Sequence, residues 1–337
     1  MTNRIALNFE DGVTRFIDAM PQELVADAAY RLGLNIPMDC RDGACGTCKS
    51  RCESGTYTLG SYIEDAMTEE EAEAGHVLTC QMRATSDCVL SIPAASSVCK
   101  VKVATHEAEM VEVRPLSDST IAFKVRVLGG DLPYLPGQYV NVQVPGTTQT
   151  RSYSFSSMPR DGVVEFLVRN IPGGLMSTYL SGPAAGGDAL ALTGPIGAFY
   201  LREPKRPLLM LAGGTGLAPF LAMLEALERN PTSQPVHMVY GVTRDVDLVE
   251  VPRLEAFAAS IPGFTFATVV ADEASTHERK GYVTQHLPKE ALFGGDVDVY
   301  LCGPPPMVEA VRSHFETTGV TPASFHFEKF NPSQPAA

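Results

Sequence analysis

The sequence predicts a multidomain chain in which an α+β domain, a small antiparallel β-barrel and a doubly wound α/β domain follow one another. Three observations carry this. Seven of the eight cysteines lie in the first 99 residues, three of them within nine positions. Residues from about 101 to 200 alternate or run β-branched, with Gly and Pro between the runs, as the strands of a small barrel do. From about 206 to 330 apolar strand-like runs alternate with helical ones, the pattern of a parallel sheet covered on both faces. The expected domains are 1–99, 100–203 and 204–337, with Ala94 to Ser97 as a linker and Asn-Pro-Ser-Gln-Pro-Ala-Ala as a disordered tail.

Composition excludes several classes. Apolar residues make up 45% of the chain and charged residues 19%, as in ordinary globular proteins. A net charge of −13 argues against nucleic acid or an anionic membrane as partner. Much of it sits at the front: the first 99 residues hold 15 Asp and Glu against 7 Lys and Arg. No apolar stretch follows the first charge in MTNRIALNFEDG, so no secretory leader is expected and a cytoplasmic location is. Pro207 to Leu224 carries no charge over 18 residues, near the length of a membrane span. Its Gly-Gly-Thr-Gly and Pro219 point instead to a buried strand, a turn and a helix start.

The cysteine spacing is the strongest signal. Cys40-x4-Cys45-x2-Cys48, with 31 residues between it and Cys80, is the plant-type 2Fe–2S pattern. Such a cluster takes three thiolates from one tight loop and one from a distant segment. Gly43, Ala44, Gly46 and Thr47 are small, so the loop can wrap closely and turn N–H groups toward the sulfurs. The competing readings are zinc, which more often uses two paired C-x2-C arms, and free buried thiols. Cys52, Cys88 and Cys99 lack a partner at ligand spacing and read as small buried hydrophobes.

In the β-rich stretch, Pro136 to Tyr139 precedes Arg151-Ser152-Tyr153-Ser154. Arg151 suits a phosphate, the ring of Tyr153 suits a flavin or its ribityl chain, and Ser154 suits a hydrogen bond near flavin N5. Further on, Leu167-Val168-Arg169 leads through Gly173-Gly174 to Met176 and Ser177. There backbone N–H groups at a helix start would favour a diphosphate. Taken alone, that turn reads equally well as a hairpin turn and a helix cap.

Two loops follow apolar strands in the last domain. Leu208 to Leu211 leads into Gly213-Gly214-Thr215-Gly216, where glycines let the backbone approach a pyrophosphate. Val297 to Leu301 ends in Cys302-Gly303-Pro304-Pro305. Both loops belong at the carboxyl ends of parallel strands, where ligands bind in such sheets. Cys302 has the size to pack beside a nicotinamide ring, or to be an ordinary core cysteine. After the second strand, Asp245 and Asp247 are acceptors suited to a ribose 2′-OH, whereas Arg244 would equally meet a 2′-phosphate.

These motifs, in this order over nearly the whole chain, resemble the ferredoxin–NADP reductase superfamily with an N-terminal plant-type ferredoxin domain. Within that superfamily the chain resembles the reductase components of benzoate and anthranilate 1,2-dioxygenases. The resemblance implies a β-grasp-like ferredoxin domain, with Cys40, Cys45, Cys48 and Cys80 as cluster ligands. Arg151 to Ser154 and the segment to Ser177 would hold FAD, and Gly213 to Gly216 with Cys302 to Pro305 would hold NADH. Phe330 would lie near the flavin ring. Hydride would pass from nicotinamide to flavin beside Ser154 and Cys302, and single electrons through the cluster to a Rieske-type terminal oxygenase. The chain itself is expected to be a monomer. Reductases of di-iron monooxygenases and of sugar-deoxygenation enzymes share this architecture, and a redox sensor would keep the cluster loop. The acidic run Glu64, Asp65, Glu69, Glu70, Glu71 and Glu73 reads either as a solvated helix start or as a docking surface for that partner.

Overall fold

The computed structural model describes residues 2–100, 103–130 and 132–330. The expected disordered tail, 331–337, lies outside them. The chain forms two compact units, one running to Ala104 and including Ile196–Ala198, the other comprising Thr105–Pro195 and Phe199 onward.

The first unit is a mixed sheet with one helix against it. Its elements are β1 (Asn3–Phe9), β2 (Thr14–Ala19), α1 (Val25–Arg31), β3 (Lys49–Ser54), β4 (Tyr57–Leu59), α2 (Glu69–Glu73), β5 (His76–Leu78), β6 (Met82–Ala84) and β7 (Cys88–Ile92). The main sheet has the order β2-β1-β7-β3-β5, and β4 pairs separately with β6. Strands β1 and β7 run parallel at its centre, and β2, β3 and β5 are antiparallel to their neighbours. Alternation along β1 sends Ile5, Leu7 and Phe9 inward, where they meet Val25, Ala28 and Ala29 of α1 and Leu90 of β7. The small residues of α1 let the helix lie close to the sheet, which is the β-grasp arrangement. Residues 32–48, between α1 and β3, contain no helix or strand and carry the cysteine loop.

The second unit begins with the barrel strands β8 (Ala104–Ser117), β9 (Thr120–Val127), β10 (Tyr139–Gln143), β11 (Thr150–Ser154), β12 (Val163–Arg169) and β13 (Ala189–Ile196), with α3 (Leu175–Ser181) after β12. The order is β11-β10-β13-β8-β9-β12. A bridge between Phe155 and Phe166 joins the two ends and closes the barrel. Aromatic rings fill it. Phe155 and Phe166 lie 5.4 Å apart, Phe123 and Phe166 5.0 Å apart, and Tyr134 stacks on Phe155 at 3.6 Å.

The parallel sheet follows: β14 (Leu208–Gly213), α4 (Ala218–Arg229), β15 (Val236–Val242), α5 (Val251–Ser260), β16 (Phe264–Val270), β17 (Asp298–Gly303), α6 (Pro305–Thr318) and β18 (Ser324–Lys329). The order is β16-β15-β14-β17-β18, parallel throughout. Every residue of the central strand β14 is buried, because helices cover both faces. The uncharged stretch 207–224 is therefore a core strand, a 3-10 turn and the buried start of α4. Among the described residues no helix is long and apolar enough to cross a membrane. The chain winds outward from β14 through β15 to β16, then returns to the other side of β14 as β17. The carboxyl ends of β14 and β17 therefore flank the topological switch point.

Barrel and parallel sheet share a core and together make up one compact unit. Ala122 of β9 and Leu167 of β12 belong to the same buried cluster as Met210, Phe220 and Met223. Ion pairs reinforce the join. Arg253 of α5 reaches Glu165 of β12 at 3.4 Å and Glu225 of α4 at 2.5 Å, and it donates to the Ser156 carbonyl at 2.9 Å. Glu165 is a half-buried carboxylate whose pKa burial raises, with Arg253 opposing that shift.

Candidate cofactor sites

The loop between α1 and β3 brings four thiols together. Cys40 contacts both Cys45 and Cys80, and Cys48 contacts Cys80. The backbone N–H groups of Ala44 and Cys45 both donate to Cys40 Sγ at 3.3 Å. Donors from Thr47 face Cys45, and Thr79 with the Cys80 backbone face Cys48. The glycines have a definite reason. Gly43 and Gly46 adopt φ of +83° and +72°, and a Cβ at Gly43 would stand 2.5 Å from the Ser61 carbonyl oxygen. Among the described residues no three candidate ligands converge on a single point as the ligands of one metal ion do. The four thiols run in one chain of contacts, Cys45–Cys40–Cys80–Cys48, so Cys80 closes the loop set from its distant segment. The donor set is thus all sulfur, ringed by N–H groups, as an iron–sulfur cluster requires. The remaining three cysteines of this unit fill other places. Cys88 and Cys99 are buried in the sheet core, whereas Cys52 is only partly buried beside it.

Strand β11 presents the Arg-Ser-Tyr-Ser motif. Arg151 donates to Gln149 Oε1 at 3.0 Å and to the Thr150 carbonyl at 2.7 Å. Ser152 donates to Asn141 Oδ1 at 2.7 Å. The Tyr153 ring meets Phe123 edge-on at 6.0 Å. The next strand splits its residues between two cores: Leu167 faces the parallel-sheet cluster and Val168 the barrel, so only their backbone is available to a ligand, while Arg169 is exposed. At the start of α3, Ser177 Oγ accepts from the Ile171 N–H at 2.9 Å, which closes the Gly173-Gly174 turn around Gly174. Met176 is buried in the barrel core.

At the switch point the two glycine-containing loops pack backbone to backbone. A Cβ at Gly216 would lie 2.4 Å from the Cys302 carbonyl oxygen, and one at Gly213 would lie 2.4 Å from Met307 Sδ. A Cβ at Gly303 would also crowd Met307 Sδ, at 2.8 Å. Gly214, with φ +55°, and Thr215 complete the turn, and Pro304 and Pro305 open α6. The arrangement is a bare cradle at the carboxyl ends of β14 and β17, the shape a dinucleotide phosphate chain needs.

Ser154 and Cys302, far apart in sequence, meet here through a third residue. Ala212, Cys302 and Glu328 stand in register across β14, β17 and β18. Ser154 Oγ, 3% exposed, donates to Glu328 Oε2 at 3.2 Å. Cys302 is fully buried, and burial, with the Glu328 carboxylate adding to it, holds its thiol neutral by raising its pKa. Glu328 is the site residue that the sequence reading did not single out. Its one sequence signal was its place beside Phe330 in the last strand. Phe330 continues that ladder, donating its N–H to the Gly303 carbonyl at 2.9 Å, and packs on the core beneath. Loss of the partly buried Ser154–Glu328 hydrogen bond, in Ser154→Ala or Glu328→Ala, is expected to slow anaerobic flavin reduction by NADH about tenfold while flavin is retained. Stopped-flow absorbance checks this.

Asp247 sits in the 3-10 turn Asp245–Asp247 beyond β15. Its carboxylate is engaged by Arg244 and by Ser119 of the barrel. Asp245 accepts from Ser275 Oγ at 2.7 Å.

Family models match three successive parts of the chain: a 2Fe-2S iron-sulfur cluster binding domain over residues 8–85, an oxidoreductase FAD-binding domain over 107–200 and an oxidoreductase NAD-binding domain over 210–313. The chain therefore carries sites for a 2Fe–2S cluster, FAD and NAD. It is 60% identical to the toluate 1,2-dioxygenase electron transfer component of Pseudomonas putida, over 98% of this chain and 99% of that one. It is 51% identical to the 2-halobenzoate 1,2-dioxygenase electron transfer component of Burkholderia cepacia, over 99% of each. Among solved structures, an Amycolatopsis cytochrome P450 reductase superposes with a TM-score of 0.73 at 33% identity, covering 98% of this chain and 100% of that one. With all three domains matched in order and relatives this similar from end to end, the chain belongs to the family of oxidoreductase electron transfer components of aromatic-ring 1,2-dioxygenases, within the ferredoxin–NADP reductase superfamily.

Proposed function

We propose that this chain draws electrons from NADH and delivers them, one at a time, to a Rieske-type terminal oxygenase that hydroxylates a benzoate-like ring. The Ser154–Glu328–Cys302 row carries the reading, because it joins the Arg-Ser-Tyr-Ser strand to the switch point of the nucleotide sheet. When bound, FAD exchanges a two-electron donor for single electrons and the cluster carries them onward. The side chains place and tune. Arg151 and the Gly174–Ser177 turn hold FAD phosphates. Tyr153 and Phe330 lie against the flavin. Ser154, its proton shared with Glu328, stands at the reacting edge, and neutral Cys302 supports the nicotinamide face. Gly213 to Gly216 and Gly303 to Pro305 hold the pyrophosphate, and Cys40, Cys45, Cys48 and Cys80 ligate the cluster. The protein works as a cytoplasmic monomer. Reconstituting turnover tests the reading. NADH-driven ring hydroxylation with a purified Rieske-type benzoate oxygenase is expected, and turnover only with a di-iron monooxygenase would assign a different acceptor.

The oxygenase docks on the acidic run beside the cluster loop, and that run contains two kinds of carboxylate. Glu71 closes a capping box with Thr68 and pairs with Lys49 at 2.5 Å, so it belongs to the fold. Glu64, Asp65, Glu69, Glu70 and Glu73 are exposed. Replacing Glu69, Glu70 and Glu73 with Gln is expected to slow transfer to the oxygenase several-fold at low salt, with little effect at about 0.5 M. Glu71→Gln lowers thermal stability instead. Partner kinetics unchanged at low salt in the triple variant would remove the docking surface.

A further inference from the structure

The turn after β15 is where an α/β nucleotide site meets the adenosine ribose: a carboxylate there accepts from a 2′-OH, and an arginine receives a 2′-phosphate. This chain has both, and the structure shows what each is doing. An ionised carboxylate offers about four acceptor positions. At Asp247 four donors approach them. Arg244 Nη2 is 3.0 Å from Oδ1 and Arg244 Nε 3.1 Å from Oδ2. The Arg244 backbone N–H points at Oδ2 from 3.3 Å, and Ser119 Oγ donates to Oδ1 at 2.5 Å. The Asp247 side chain is 14% exposed, whereas that of Arg244 is 49% exposed. The group presented to a ribose is therefore the guanidinium, with its charge already matched. The nearby Asp118 carboxylate adds to the negative field around it.

We infer, resting on the nucleotide reading above, that Asp247 selects NADH indirectly: it occupies and neutralises Arg244, so that the outward N–H groups serve neutral ribose hydroxyls and the site rejects a 2′-phosphate. A 2′-phosphate brings a charge of about −2 toward Asp247 and Asp118. Arg244 can balance it only by leaving Asp247, which would strand a mostly buried carboxylate. Ser119 fixes that carboxylate from the barrel. Ser119 is itself held by the Asn170 N–H, which donates to its carbonyl at 2.7 Å, next to the segment assigned to FAD. Asp247 and Ser119 are thus positioning residues, and Arg244 is the group that touches the ribose.

The test compares holoprotein variants for NADPH- and NADH-dependent flavin reduction, with 2′-AMP and 5′-AMP as competitors. In Asp247→Asn, kcat/KM for NADPH is expected to rise by about tenfold or more, and 2′-AMP to compete correspondingly better. The double variant Asp247→Asn/Arg244→Gln loses both gains. Ser119→Ala gives a smaller rise of the same sign, which keeps the inference testable if Asp247→Asn does not fold. Loss of NADH efficiency in Asp247→Asn with no NADPH gain would overturn it and make Asp247 the direct hydroxyl acceptor. A gain that survives removal of Arg244 would also overturn it. Wild-type protein whose flavin neither nucleotide reduces would instead defeat the broader functional reading.

Discussion

Cys80→Ser is expected to abolish electron delivery to the oxygenase while NADH still bleaches the flavin. Cys80 is the distant member of the thiol set, touching Cys40 and Cys48, and no other described cysteine stands among those sulfurs. A serine oxygen ligates iron poorly in place of a thiolate, so cluster content and the reduced-cluster spin resonance signal are lost. Oxygenase-coupled turnover then falls by more than about a hundredfold. Ligation would also tie the loop 32–48, which contains no helix or strand, to the segment of Cys80, and the variant should be more easily cleaved by protease in that loop. Ferricyanide reduction, which the flavin can support directly, separates the two halves of the relay. Full oxygenase turnover in Cys80→Ser would show that the thiol set is not the electron exit.

Gly216→Ala is expected to cost the nucleotide step most. Its Cβ would stand 2.4 Å from the Cys302 carbonyl oxygen and 3.0 Å from the Gly303 nitrogen, so β17 must move away from the turn. Such overpacking typically costs about 1–3 kcal/mol of stability. It displaces the two loops that cradle the pyrophosphate, and NADH-dependent flavin reduction should drop by about a hundredfold, with dithionite still reducing the flavin. Gly214→Ala is the informative contrast. With φ +55° and nothing within 4 Å of its Cβ, it carries backbone strain without a clash. A smaller loss there than at Gly216 is the signature of loop packing, and equal losses would contradict it.

Much of the fold was legible because its signals are local. The apolar runs Leu208 to Leu211 and Val297 to Leu301, each ending at a glycine-containing loop, lie where β14 and β17 form. Cysteine spacing is local as well, apart from Cys80. The cradle glycines could be seen as glycines, but their necessity comes from contacts between β14 and β17, about ninety residues apart. Glu328 was illegible for the same reason. A lone glutamate in an edge-strand sequence says nothing until β11 is brought to it across 174 positions. The acidic run looked uniform in sequence, although Thr68-x-x-Glu71 is a capping-box pattern that marks Glu71 as structural. Asp247 illustrates the limit most clearly. Its residue type was suited to a ribose, yet Ser119, which helps fill its acceptor positions, lies 128 positions away on the barrel.

The central claim is a relay from NADH through flavin to a 2Fe–2S centre, and an anaerobic NADH titration of the purified holoprotein tests it most directly. Absorbance is followed to the end point, and the sample is then frozen for low-temperature electron spin resonance. The account predicts bleaching of the flavin bands together with a rhombic signal from the reduced 2Fe–2S centre. Flavin bleaching with no cluster signal would contradict it at the second step, and no bleaching with NADH would contradict it at the first.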